Sequence, residues 1–181
     1  MVLEEKEWKY FFSIWSGLLG YVNDVHKITS EYASESEYAT VESKITLPIR
    51  NKLWEDDTII DSYISSNKNL DLDERQILKS WKDRVAGQFL IMKHLKNYTT
   101  FFKDDEKFIF GVNGLRHPVE SFYPKFTLPI MTNTVLLPFK GKIIYDSFFE
   151  TYNVRFGGNM RRSFNEEYQE IRKLKGIVTQ L

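Results

Sequence analysis

A short stretch rich in arginine and glycine near the end of the chain has the residue types of an anion-binding site. It reads RFGGNMRRS, and a predicted helix begins at its last residue, Ser163. Gly157 and Gly158 let the backbone bend, while Arg161 and Arg162 supply fork-shaped sets of donors. Helix N-terminal N–H groups, the positive dipole end and arginines together attract phosphate or carboxylate. The stretch therefore predicts an anion-binding site formed by these two glycines and two arginines.

The same residues also have a purely structural interpretation. The glycines then only turn the chain, and the arginines lie on the surface or pair with Glu166 and Glu167 in the following helix. The sequence leaves both interpretations open.

Other candidates for chemistry are few. Asp146 follows an apolar run, a position where an enzyme can hold an acid or base, but this analogy is weak in an antiparallel sheet. The three histidines, His26, His94 and His117, lack metal-ligand spacing. Phosphate-binding loops, nucleophile elbows and dinucleotide fingerprints are absent from the sequence. We therefore predict no catalytic residue, no metal and no cofactor.

Three consecutive acidic residues, Asp104 to Glu106, fall at a predicted hairpin tip. Carboxylates can hold a hard cation, but consecutive residues at a tip seldom converge on one ion. The pattern favours a solvated turn.

Composition predicts one domain over residues 1–181. Hydrophobic residues make up 42% of the 181 residues, enough for a core, and there is no cysteine for disulfides or thiolate sites. The start, MVLEEKEW, carries acidic residues where a secretory signal is positive, and no apolar run approaches the ~20 residues of a membrane span. We therefore expect a cytoplasmic protein.

The zero net charge is unevenly divided along the chain. Residues 1–80 carry 9 Lys and Arg against 15 Asp and Glu, whereas residues 81–181 carry 16 against 10. These counts give −6 and +6. Such asymmetry favours either attraction between the two halves or a basic face for an anionic partner.

Helical periodicity dominates the first half. Apolar residues spaced three and four apart predict a helix over about residues 3–25. Two shorter apolar stripes follow, one after Pro48, which we interpret as a helix start, and one after Asp57. The polar stretch Thr29–Thr40 reads as a loop or weak helix. Asp71 and Glu74 predict a capped helix after them.

The second half changes to strand patterns. We predict strands near Phe89–Leu95, Tyr98–Phe102 and Lys107–Val112, then a proline-rich connection and a hairpin of Val135–Phe139 with Lys142–Phe148. A final helix follows. Ser163 and Glu166 form its predicted capping box, Gly176 its C-cap, and GIVTQL a last short strand.

These elements predict an α+β fold: a helical N-terminal half packed on an antiparallel sheet or partly closed barrel, with a C-terminal helix.

The wording of several segments resembles a known protein group. LWED, KSWKDRVAGQFLIMKHLKNYT, VLLPFKGKIIYD and FGGNMRRSFNEEY with GIVTQL are similar to a group of uncharacterised bacterial proteins, over roughly residues 45–181. Some members of that group carry a C-terminal zinc motif like the tail of the SecA translocation motor. This chain has no cysteine, so it lacks that zinc motif. The resemblance therefore implies a bacterial cytoplasmic protein and supplies no activity, zinc site or catalytic residue.

The leading functional prediction is a non-catalytic binding or interaction module. Its partner is an unidentified protein or an anionic ligand, with nucleic acid as a weak candidate and no membrane. The alternative is a small enzyme acting on a phosphorylated or anionic ligand, with Arg161 and Arg162 as clamps and Asp146 as acid or base. A pocket containing all three side chains favours the enzyme, whereas a basic face with exposed Tyr or Phe favours binding.

Overall fold

The computed structural model describes residues 1–32 and 43–181, which divide into two compact units. Residues 4–82 form a helical unit, and residues 1–3 with 83–181 form a barrel unit. Part of the polar stretch predicted as a loop or weak helix lies outside the described residues. The prediction of a single domain stays a prediction.

The helical unit contains four α-helices in its described part. They are α1 (Glu5–His26), α2 (Ser43–Trp54), α3 (Thr58–Ser66) and α4 (Leu72–Ser80). The predicted stripe of α1 is buried from Phe11 to Val22, while Val25 is exposed in the last turn.

Large aromatic rings form the centre of this unit. Trp15 stacks on Trp54 with ring centroids 5.8 Å apart, and Trp81 meets both Phe11 and Trp15 edge to face. Edge-to-face and offset pairs add to the burial of such rings because of their quadrupoles. The i, i+4 spacing of Phe11 and Trp15 thus fixes the side of α1 that is covered.

Helix starts follow the capping rules in one case and not in another. Asp71 accepts the N–H of Glu74 at 2.8 Å and Glu74 accepts the N–H of Asp71 at 2.8 Å, so this predicted capping box is confirmed. Pro48, by contrast, lies inside α2, which begins five residues earlier at Ser43. The missing N–H of proline removes the hydrogen bond to the carbonyl of Lys44, in the second turn of α2.

The barrel unit contains six strands and two helices. They are β1 (Val85–His94), β2 (Thr99–Lys103), β3 (Phe108–Val112), α5 (Val119–Phe122), β4 (Ile130–Phe139), β5 (Lys142–Tyr145), β6 (Glu150–Thr151) and α6 (Gly158–Lys175). The predicted hairpin is present, although β4 begins five residues earlier than expected and β5 ends at Tyr145.

Five of the strands close into a ring. Their order is β1-β2-β3-β5-β4, and β4 returns to pair with β1. All pairs are antiparallel except β3 with β5, which is parallel at Val112 and Ile143. This order, with one parallel pair, is the Greek-key arrangement of the OB-fold. The predicted α+β class with a C-terminal helix is confirmed, and the sheet is a closed mixed barrel.

One bent strand makes the closure possible. β1 pairs with β4 over Val85–Ile91 and with β2 over Leu90–His94, with a register shift between Ile91 and Lys93. Gly87, in the part of β1 that pairs only with β4, has φ +125°, a conformation that favours glycine, while the register shift lies in the part that pairs with β2.

The C-terminal segment pairs with β3. Val178 forms a parallel bridge with Phe110, and its carbonyl accepts the N–H of Gly111 at 2.8 Å. The predicted last strand is therefore present as a single bridge. The first three residues similarly lie beside Gly114.

Helix α6 covers the outer face of β1, β2 and β3. Tyr168 and Ile171 of the helix pack with Leu90, Phe102 and Ile109 of the strands, and Met92 and Phe156 belong to the same cluster. Residues of the opposite parity, Phe89, Phe101 and Phe110, contact one another with centroids about 6.1 Å apart. Alternation along each strand thus separates the barrel interior from the helix-covered face.

Candidate functional site

The predicted anion-binding residues lie at the start of α6. The helix begins at Gly158, and the N–H of Arg161 bonds to the carbonyl of Gly157 at 3.0 Å. Arg161 and Arg162 are therefore inside the helix and not in a loop before it. The prediction of Ser163 as N-cap with Glu166 as its capping partner is wrong, because the helix starts five residues earlier.

Arg161 is held at this end by one hydrogen bond. Its Nε donates to the carbonyl of Phe156 at 3.0 Å, and Phe156 is itself buried in the cluster beneath α6. The guanidinium is thus fixed near the first turn while the residue as a whole remains exposed. Arg162 is also exposed.

The arginines do not pair with the helix glutamates. The carboxylate of Glu167 bonds to Lys107 instead, and within the described residues Arg155, Arg161 and Arg162 form no ion pair. The sequence from residue 151 to residue 165 contains no Asp or Glu. This stretch therefore supplies no carboxylate of its own to pair with these arginines.

An exposed tyrosine lies just before the arginines. Tyr152 is 38% exposed, its hydroxyl accepts a hydrogen bond from Gln88 Nε2 at 3.0 Å, and its N–H bonds to the carbonyl of Met131. We call Tyr152, Arg155, Arg161 and Arg162 the arginine surface. Tyr152 and Arg155 were not predicted from the sequence, although the absence of Asp and Glu from residues 151–165 was a readable signal.

The two glycines do not carry the role expected of them. Gly157 has φ −67°, which any residue adopts, so the turn does not require glycine there. A Cβ at either Gly157 or Gly158 would meet no atom within 4 Å. What the glycines provide is bare backbone, since the N-cap residue Gly157 has no side chain to cap the first N–H groups of α6.

Asp146 is not part of the arginine surface. Its exposure is 0%, and its N–H bonds to Val135 of β4 at 3.0 Å. A carboxylate buried in this way does not share a solvent-accessible site with exposed arginines.

The histidines have structural surroundings. The ring of His94 lies between Thr99 Oγ1 at 2.8 Å and the carbonyl of Tyr123 at 2.7 Å, so it joins the end of β1 to the β3–β4 connection. His117 packs edge-on against Phe122. His26 ends α1.

A cluster of aromatic rings around Phe149 was not predicted from the sequence. Phe149 stacks on Tyr145 with centroids 4.2 Å apart and meets Tyr123 edge-on at 5.4 Å. Burial raises the pKa of the Tyr145 phenol far above its ordinary value. We assign this cluster a packing role.

The acidic hairpin tip is paired with lysines. Lys103 contacts Asp105 at 3.2 Å and Glu106 at 3.4 Å, and Lys107 contacts Asp104 at 2.6 Å. Within the described ranges no three His, Asp or Glu side chains are grouped to hold a metal.

Comparison with known proteins adds no identity. No family, no curated protein and no solved structure matches this chain. The resemblance to the bacterial group therefore stays a prediction. None of the described helices is both long enough and apolar enough to cross a membrane.

Proposed function

We propose that this chain is a non-catalytic cytoplasmic interaction module that binds an anionic group of its partner at the arginine surface. The observation that carries the proposal is the set of three exposed arginines without an ion pair among the described residues, in a segment without acidic side chains. Because no carboxylate is paired with these arginines among the described residues, their guanidinium groups can bind an anionic ligand.

The geometry suits a phosphate or carboxylate. Arg161 is positioned by Phe156, Arg162 follows it, and the uncapped N–H groups of α6 point from the same end of the helix. Positioned arginines bind such oxygens in bidentate fashion, and a hydrogen bond to a charged group contributes about 1.5–3 kcal/mol. Exposure lowers this contribution, so we expect moderate affinity that depends on salt.

The alternative of a small enzyme gains no support from the site. It requires Asp146 beside the arginines, and Asp146 is fully buried. The same arginine surface without an accessible acid or base supports binding only.

Thermal unfolding with tripolyphosphate tests the proposal. At a ligand concentration of 100 times Kd, binding to the folded state adds about 2.7 kcal/mol to stability, which raises Tm. Arg162→Ala, which removes no hydrogen bond among the described residues, should reduce this rise, and the double variant Arg161→Ala with Arg162→Ala should abolish it.

The matched control removes two cations from the other end of the same helix. Arg172→Ala with Lys173→Ala takes away equal charge from exposed positions, and the rise in Tm should persist. An equal loss in both double variants, or no rise in the parent protein, contradicts the proposal.

A further inference from the structure

We propose that the anionic partner is a single-stranded nucleic acid, whose phosphates meet the arginines and one of whose bases stacks on Tyr152. This inference rests on the proposed function and adds to it the class of partner.

Tyr152 has the properties of a stacking platform. Its ring is partly exposed, its hydroxyl is fixed by Gln88 and its backbone is fixed by Met131. Arg155 lies three positions further along the chain, which limits the distance between their Cα atoms to about 10 Å. Base stacking on an aromatic ring next to a basic track is how sequence-tolerant single-strand binders work.

One amide side chain, that of Gln88, contacts this tyrosine. Gln88 of β1 lies opposite Asn133 of β4, which lies opposite Glu150 of β6, so two amides and one carboxylate share this outer face of the barrel. Asn153 and Asn159 are exposed in the segment that carries the arginines. Amides match the donor and acceptor edges of bases, and guanidinium groups match phosphate. An acidic peptide could be bound by the arginines alone and would not require the tyrosine or the amides.

The face that OB-folds ordinarily offer to nucleic acid is closed in this protein. That face belongs to strands β2 and β3, and here α6 covers Phe102 and Ile109 with Tyr168 and Ile171. The turn between β4 and β5 is only two residues long. The inference therefore rests on the arginine surface and not on the usual use of the fold.

Two oligonucleotides that differ only in their bases provide the test. A fluorescent strand of about twelve thymidines, and a strand of equal length built from abasic units, are titrated in about 50 mM salt and followed by anisotropy. The thymidine strand should bind at least about fivefold more tightly, which is the lower limit for one stacked base.

Substitutions assign that difference to the ring. Tyr152→Ala should make the two strands bind equally, whereas Arg162→Ala should weaken both by the same factor. Phe108→Ala is the control, since Phe108 is also 38% exposed and lies on β3, away from the arginine surface.

Each adverse result has a distinct meaning. Equal binding of the two strands by the parent protein overturns the inference, while a tripolyphosphate response leaves the proposed function standing. Displacement of the thymidine strand by an oligoglutamate of equal charge at equal concentration favours a protein partner and also overturns it. Absence of binding by both strands and by tripolyphosphate overturns the inference and the proposed function together.

Discussion

The hydroxyl of Tyr168 gives a sharp test of how α6 packs on the barrel. Tyr168 is 0% exposed within the apolar cluster beneath α6, and its hydroxyl has no hydrogen-bond partner among the described residues. A buried polar group left unsatisfied costs about 1–3 kcal/mol. Tyr168→Phe removes the group and retains the ring, including its contact with the Lys93 ammonium at 5.1 Å.

We expect Tyr168→Phe to raise the free energy of unfolding by about 1 kcal/mol, since deletion of the oxygen also leaves a small void. For a chain of this length the corresponding rise in Tm is about 2–4 °C. Thermal melts of parent and variant under identical conditions measure it.

Tyr123→Phe is the matched control. The Tyr123 hydroxyl is hydrogen-bonded to Thr151 Oγ1, so the same deletion should lower stability by about 0.5–1.5 kcal/mol. A drop in Tm for Tyr168→Phe as large as that of the control would refute the reasoning, because it would show that the Tyr168 hydroxyl is satisfied.

Two further predictions concern the helical unit. Arg75 donates to the carbonyls of Ile64, Leu70 and Asn67 at 2.8–3.0 Å. Arg75→Ala should therefore lower the free energy of unfolding, measured by chemical denaturation, by at least about 3 kcal/mol, while exposed Lys79→Ala should change it by no more than about 0.5 kcal/mol. Similar values for the two variants would contradict this. Burial raises the pKa of Tyr32 to about 12, above the usual value near 10. The folded state thus favours the neutral phenol, so its contribution is complete below about pH 10 and is lost as pH rises towards 12. Tyr32→Phe should lessen the fall in Tm over that interval, and an unchanged fall would count against the assignment.

Local signals in the sequence predicted most elements of the structure. The apolar stripe of α1, the Asp71 and Glu74 capping box and the Gly176 C-cap depend on residues within one or two turns, and the structure contains each of them. The strands were found from their composition for the same reason. Their exact ends were not, because pairing with a distant strand sets them.

The closed barrel depended on contacts that no local pattern contains. β1 pairs with β4 across some 45 residues, and the parallel contact of β3 with β5 needs both strands in place. The start of α6 was missed because Ser163 and Glu166 fit a capping box equally well inside a helix. The helix in fact begins at Gly158, and Arg161 in its first turn donates a hydrogen bond to the carbonyl of Phe156.

The candidate site was found in part. Arg161 and Arg162 were identified because arginine pairs next to a helix are visible in the sequence. The partner of Glu167 is Lys107, sixty residues away in the chain, so the absence of a pairing with the arginines was visible only in the structure. Gln88 and Tyr152 likewise meet across 64 residues.

The salt dependence of oligonucleotide binding tests the central claim most directly. Three arginines on phosphates of a single strand predict a slope of about −2 for log K against log salt, because each contact contributes about −0.7. Arg161→Ala with Arg162→Ala should reduce the slope to about −0.7, and Arg172→Ala with Lys173→Ala should leave it near −2. A slope that falls in the second variant and not in the first would contradict the assignment of the arginine surface as the anion-binding site.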